Sequence, residues 1–154
     1  MKIVSGGQTG VDRAALDAAL ERKFDVGGWC PEGRLSEDGT IPERYPVKEL
    51  PKSGYRRRTK QNVVDSDGTV IIYFGRPSGG TAQTIKFCIS EGRPYLLIDA
   101  CQVSIGNASR RIADFIEHNA ISVLNVAGPR ASGEPRAYDY AKRAIDQVLS
   151  NCPL

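Results

Sequence analysis

The sequence holds a single histidine, His118, and four cysteines, Cys30, Cys88, Cys101 and Cys152, with no CxxC pair among them. Structural zinc needs clustered Cys and His, and a disulfide framework needs regularly spaced Cys in a secreted chain. Neither pattern is present, so reduced thiols and no protein-held metal are expected. No apolar run approaches the roughly 20 residues of a membrane span. The N-terminus opens on a strand pattern instead of the apolar segment of a signal peptide, and a cytoplasmic protein is expected. The sequon Asn107-Ala108-Ser109 then has no secretory context, and Asn107 reads as a helix cap. A GxSxG elbow, a His–carboxylate pairing and a paired-His motif are also missing. Acid–base work is left to Asp12, Glu32, Asp38 or Asp99, each of which also has a structural reading, so no catalytic residue is assigned and a binding protein is favoured over an enzyme.

What is present fits one compact domain over residues 1–154. The hydrophobic share of 40% and the charged share of 25% are those of a globular chain. A net charge of +3 is too small to point to nucleic acid. The basic residues gather locally, at Lys52 and in Arg56-Arg57-Arg58-Thr59-Lys60, where a small anionic ligand would account for them. Successive residues of a helix point apart, so two or three of these charges at most can face one ligand. Arg58 is the favoured one, with Thr59 and Asn62 beside it; the other reading is a solvated helix start.

Apolar periodicity gives strands at Lys2 to Ser5, Phe24 to Trp29, Thr69 to Phe74, Tyr95 to Ile98 and Ser122 to Val126. Helices are expected at Val11 to Arg22, Arg56 to Ser66, Ala82 to Ser90, Asn107 to His118 and Pro135 to Ser150. The run Cys30 to Tyr55, with four prolines and no sustained period, reads as a long loop of the kind that serves as a lid or binding loop. Strands alternating with helices imply a doubly wound, mostly parallel five-stranded α/β sheet with helices on both faces. The expected strand order is 2-1-3-4-5.

Three strands end on glycine turns: Ser5-Gly6-Gly7-Gln8-Thr9-Gly10, Pro77-Ser78-Gly79-Gly80-Thr81 and Ala127-Gly128-Pro129-Arg130. In open parallel sheets ligands bind at the carboxyl ends of strands, where the order reverses. Glycines let an anion approach backbone N–H groups, and the following helix adds its positive dipole end. Arg13, in the first turn of its helix, would suit a bound anion as counter-charge. The alternative is that the glycines only make tight turns. GGxxG is not the dinucleotide GxGxxG, and Gly75 to Thr81 has the span of a P-loop with no Lys before the Thr, so neither NAD nor Walker-type ATP binding is supported. Asp99 either accepts from a ligand ring NH or ends its strand.

Set beside known families, SGGQTGVDRAALDAAL, CPEGRLSEDGTIPERYP, YRRRTKQNVVDSDGTVI, SGGTAQT and LNVAGPRAS together resemble the molybdenum carrier proteins and the related molybdenum cofactor carrier proteins, over nearly the whole chain. That family is similar to the Rossmann-like lysine-decarboxylase-like nucleotide phosphoribohydrolases. Their PGGxGTxxE motif lacks a residue here between Gly80 and Thr81, and no Glu follows nearby, which removes support for hydrolysis and leaves the phosphate cradle. The resemblance implies binding of molybdenum cofactor (molybdopterin) by its terminal phosphate, with the metal carried by the ligand. Gly6, Gly7, Thr9 and Gly10 with Gly79, Gly80 and Thr81 would hold the phosphate, and Arg13 and Arg58 would balance its charge. Gln8, Ser78, Gly128 and Arg130 complete the candidate set, and the loop Cys30 to Tyr55 would cover the oxygen-sensitive part. Molybdoenzymes or cofactor-making proteins as partners, and a homo-oligomer, are also implied. The rival expectation is a nucleotide-binding or nucleotide-hydrolysing enzyme using the same cradle, with Asp12 or Glu32 as acid or base.

Overall fold

A computed structural model describes residues 1–153. In chain order its elements are β1 (Lys2–Val4), α1 (Val11–Glu21), β2 (Asp25–Gly27), β3 (Trp29–Pro31), β4 (Leu35–Ser36), β5 (Gly39–Thr40) and β6 (Lys48–Leu50), followed by α2 (Tyr55–Val64), β7 (Gly68–Tyr73), α3 (Gly79–Ser90), β8 (Tyr95–Asp99), α4 (Ile105–His118), β9 (Val123–Ala127) and α5 (Ala137–Ser150). The central sheet has five parallel strands in the order β2-β1-β9-β7-β8.

This order corrects the expected one. Counting the five central strands along the chain, it is 2-1-5-3-4: the last strand inserts between the first and the third. Val123–Asn125 pairs with Lys2–Val4 on one side, and Leu124–Ala127 pairs with Gly68–Ile71 on the other. β9 can take this central place because Leu124, Asn125 and Val126 are all buried, as a strand covered on both faces requires. β1 and β7 are therefore not neighbours, and their glycine turns are separated by the turn that follows β9.

Alternation along the strands divides the core. Ile3, Val70, Ile72, Leu124 and Val126 pack on one face with Ala14, Ala15 and Ala18 of α1, Ile112 of α4 and Ile145 of α5. Ile71 packs on the other face with Val63 of α2 and with Phe87 and Cys88 of α3. The alanine stripe of α1 is what lets α5 lie close against it. Each large aliphatic side chain buried in this way contributes about 1.5–3 kcal/mol.

Four local differences from the sequence reading have simple causes. The second strand breaks into β2 and β3 at Gly28, which sits at φ 124 and passes so close to β1 that a Cβ would lie 2.0 Å from the Ser5 carbonyl oxygen. The long loop is better ordered than its prolines suggested: β3 pairs with β6, β4 with β5, and Cys30, Ile41, Tyr45 and Val47 bury against Leu16 of α1. The cap of α4 is Ser104, whose hydroxyl accepts the Asn107 amide at 3.2 Å; Asn107 itself lies inside the helix. The helical spacing of Tyr138, Ala141, Ile145 and Leu149 places all four inside, but Tyr138 is 39% exposed, its hydroxyl reaching the Asp17 carboxylate at 2.6 Å.

Candidate functional site

The turn after β7 leads to α3 on one face of the sheet, and the turn after β9 leads to α5 on the other. Two neighbouring strands whose connections part in this way leave a crevice at their carboxyl ends. A cavity of about 240 Å³ lies there, walled by Gln8, Asp12, Arg58 and Thr59, by Ser78, Gly80, Thr81 and Thr84, and by Ala127 to Arg130 with Ser132 and Gly133.

Its electropositive wall is the start of α3. Ser78 holds the capping position, yet its hydroxyl makes no capping bond, and no acidic residue occupies the first turn. The first amides of a helix have no partner within it, so this end offers donors and a positive dipole to the cavity. Gly79 at φ 52 and Gly80 have no heavy atom within 4 Å of a would-be Cβ, which leaves the approach open.

Opposite stands Arg58. It enters across Gly6 so closely that a Cβ there would lie 1.6 Å from its Nη1. Its side chain is 12% exposed, and Nη1 stands 3.5 Å from Oδ2 of Asp12, itself 7% exposed. Burial pushes the Asp12 carboxyl above the ordinary carboxylate range, against the pull of Arg58, the Gln8 amide and Arg130. Burial likewise lowers Arg58, against the attraction of Asp12. Arg58 Nε and Gln8 Oε1 are buried with no hydrogen-bond partner. An unpaired buried donor or acceptor costs about 1–3 kcal/mol. The two belong to residues that line one cavity, where a polar ligand could offer partners. A second cation, Arg130, stacks on the Tyr55 ring with its guanidinium carbon 4.4 Å from the ring centre; Arg58 stands 5.8 Å from the same ring.

Of the residues singled out in the sequence, Gln8, Arg58, Ser78, Gly80, Thr81, Gly128 and Arg130 line this cavity. Arg13 does not. Its guanidinium is bound to Asp38 at 2.6 and 2.9 Å, to Ser36 Oγ at 3.0 Å and to the Gly7 carbonyl at 3.0 Å. The charge expected to face a ligand instead ties the β4–β5 hairpin to the first glycine turn. Thr9 is taken by Glu37 and by the Ala131 amide, and Gly7 and Gly10 pack against Ile41 and the Pro129–Ala131 backbone. Of the first turn, only Gln8 reaches the cavity, while its Nε2 donates to the Leu35 carbonyl at 2.9 Å.

The rest of the basic run is dispersed: Arg56 lies over Phe87, Arg57 donates to the Lys52 carbonyl, and Lys60 pairs with Glu91 at 3.2 Å. Asp99 accepts the Gly75 and Cys101 amides and so closes its strand end, and Glu32 is exposed. Thr84, Ser132 and Gly133 were not anticipated, since neither a mid-helix Thr nor the polar stretch after Arg130 carries a pattern of its own. Among the described residues no group of three His, Cys, Asp or Glu side chains is placed to share a metal ion, and no helix is long and apolar enough to cross a membrane.

The hairpin clasp gives a pH prediction. Asp38 is held well below the usual carboxylate range, first by its hydrogen bond from Arg13 and then by that from Ser36. Glu37 is lowered by Ser132 and Thr9. A carboxyl lowered on folding stabilises above its unfolded value of about 4, and that contribution is lost as pH falls through the folded value. The clasp is therefore expected to hold at neutral pH and to loosen in acid. Asp38→Asn should lower amide protection, relative to intrinsic exchange at the same pH, across residues 33–41 at neutral pH to what the parent shows only in acid, and unchanged protection would refute the clasp.

A family model described as "Circularly permutated YpsA SLOG family" matches residues 3–149. The chain belongs to that family. Membership fits the strand order: joined end to start and read from β7, the five central strands run 2-1-3-4-5, so permutation is what moved β9 between β1 and β7. In this circularly permuted fold the crevice between β7 and β9 is the one between strands 1 and 3 of that reading. A crystal structure at 1.45 Å resolution of a protein described as "Putative molybdenum carrier protein", from Syntrophus aciditrophicus SB, is similar to the chain with a TM-score of 0.94 and 46% identity, covering 96% of this chain and 94% of that one. No curated protein matches.

Proposed function

We propose that this chain is a carrier that binds the phosphate of a phosphorylated pterin of the molybdenum-cofactor class in the cavity between β7 and β9. The observation that carries the reading is the pair of buried orphans, Arg58 Nε and Gln8 Oε1, on two residues that line the cavity together with the uncapped start of α3. A phosphoryl oxygen would satisfy the donor, and an NH or OH of the same ligand the acceptor. The residues fit an anionic group: the α3 amides of Gly79 and Gly80, the Thr81 side chain (its amide already donates to the Ser78 carbonyl at 3.1 Å), the guanidinium of Arg58, and Arg130 at the Tyr55 ring. The likeness to the Syntrophus protein supports the molybdenum-related part of the reading. When bound, such a ligand would bring its own dithiolene and metal, and the protein's part is to hold the phosphate and shield the rest. Protein purified anaerobically from its native host is expected to release a fluorescent oxidised pterin on iodine treatment. Protein that carries none, and takes up none from a molybdopterin donor, refutes the reading.

One observation favours a second reading, hydrolysis of a nucleoside monophosphate in the same cavity: Asp12 lines it and is held toward its protonated form, as a general acid requires. Release of free base from a panel of nucleoside monophosphates, lost in Asp12→Asn, would establish it, and silence across the panel would remove it.

A further inference from the structure

A buried carboxyl is an unexpected wall for an anion cavity. Asp12 lies in the first turn of α1, is 5% exposed and lines the same space as Arg58 and Arg130. Oδ2 accepts the Gln8 amide at 3.2 Å and faces Arg58 Nη1 at 3.5 Å, and the Gly6 amide also bears on the carboxyl. The charged groups directed at it are Arg58 from α2 and Arg130 from the turn after β9, with the first-turn amides of α3 across the cavity. An ionised Asp12 would repel an oxyanion drawn in by these cations. A single proton between the two oxygens converts that repulsion into a charge-assisted hydrogen bond.

We propose that Asp12 is a specificity-determining contact that meets the ligand's oxyanion through one shared proton, and so selects a phosphate, which can bring that proton, over an isosteric oxyanion that cannot. No bond is made or broken: the proton comes either from the phosphate or from solvent, and rests between Asp12 and a phosphate oxygen in the complex. The inference rests on the cavity being an anion site, and it narrows the ligand from oxyanions in general to inorganic hydrogen phosphate, which brings the proton, and phosphate monoesters, whose dianion takes one up from solvent at about pH 6. Burial, which raises the Asp12 carboxyl, acts in the same direction, because it lowers the cost of keeping a proton there.

Hydrogen phosphate and sulfate are the matched probes. Near pH 8 both are dianions of the same shape, and only the first carries a proton. By calorimetry the wild-type chain should bind inorganic phosphate about tenfold or more tightly than sulfate at about pH 8, from the value of one charge-assisted hydrogen bond. Sulfate affinity should climb as pH is lowered toward about 6, with uptake of about one proton as read in buffers of different ionisation enthalpy. In Asp12→Asn, whose amide donates without titrating, the two anions should bind alike near pH 8, and sulfate affinity should no longer climb as pH is lowered. Equal wild-type affinities near pH 8, or sulfate binding that ignores pH, overturn the proposal while leaving the cavity an anion site. Absence of binding by either anion overturns both. The wild-type measurements decide the matter even if the variant does not fold.

Discussion

Replacing Arg58 by Ala should lower affinity for inorganic phosphate about tenfold to hundredfold, the expected value of one or two charge-assisted hydrogen bonds in a cavity largely screened from water. Arg58→Lys should fall nearly as far, because an ammonium has neither the Nε donor that is orphaned here nor the planar fork that lies on Gly6. Arg56→Ala and Arg57→Ala should change affinity by less than about twofold, since those side chains are engaged with Phe87 and with the Lys52 carbonyl and do not line the cavity. Calorimetry on the four variants separates a specific contact from a general basic field. A field would make the three alanine losses similar, would spare Arg58→Lys, which keeps the charge, and would screen steeply with salt. Arg58→Ala also leaves buried Asp12 with Arg130 alone as counter-charge, a loss relieved by protonation of the carboxyl, so folding should survive near neutral pH.

The second large effect is on stability. Gly10→Ala is expected to cost about 3 kcal/mol or more, lowering the melting temperature by roughly 10 °C in a chain of this size. Two terms combine. Gly10 sits at φ 80, where a side chain is strained, and a Cβ would stand 2.4 Å from the Pro129 carbonyl oxygen and 2.9 Å from the Ala131 amide. Both neighbours are backbone, so no rotamer change can yield. The strain would fall where the first glycine turn meets the turn after β9, the joint that sets Gln8 against the cavity. Gly80→Ala is the contrasting control. Nothing stands within 4 Å of its Cβ, and alanine is the better helix former, so stability should hold or rise slightly while the new methyl encroaches on the cavity and weakens phosphate binding. A Gly10→Ala chain that melts with the parent would show that the two turns are not held in the contact described.

These variants also show what the sequence disclosed. Glycine turns between strand and helix patterns pointed to the carboxyl edge of a parallel sheet, and the buried alanines of α1 and the apolar run of β7 fell where periodicity placed them. Strand order was not legible, because nothing local in Val123–Ala127 says that it inserts between the first and third strands instead of extending the sheet; permutation leaves no mark at the level of a turn or a helix. That single difference explains why Gly7, Thr9 and Gly10 pack against the turn after β9 and the long loop, away from the cavity, while Gly6 lies under Arg58. Arg13 misled for a related reason. A cation in the first turn of a helix is placed equally well for a ligand or for a carboxylate from a distant loop, and Asp38, 25 residues along, could not be assigned to it by spacing. Arg58 was favoured within its run on the strength of Thr59 and Asn62; Thr59 does reach the cavity wall, whereas Asn62 holds the Trp29 backbone through two hydrogen bonds.

The central claim is that the crevice between β7 and β9, with α3 pointing into it, is the anion site. Amide correlation spectra of the labelled chain during titration with inorganic phosphate test it most directly. The signals of Gly79, Gly80 and Thr81, together with Arg58 Nε–H, are expected to move in saturable fashion with one common dissociation constant, and in Arg58→Ala the three amide signals should move only at about tenfold to hundredfold higher phosphate. Saturable shifts confined to other parts of the chain, with these four signals fixed, would contradict it.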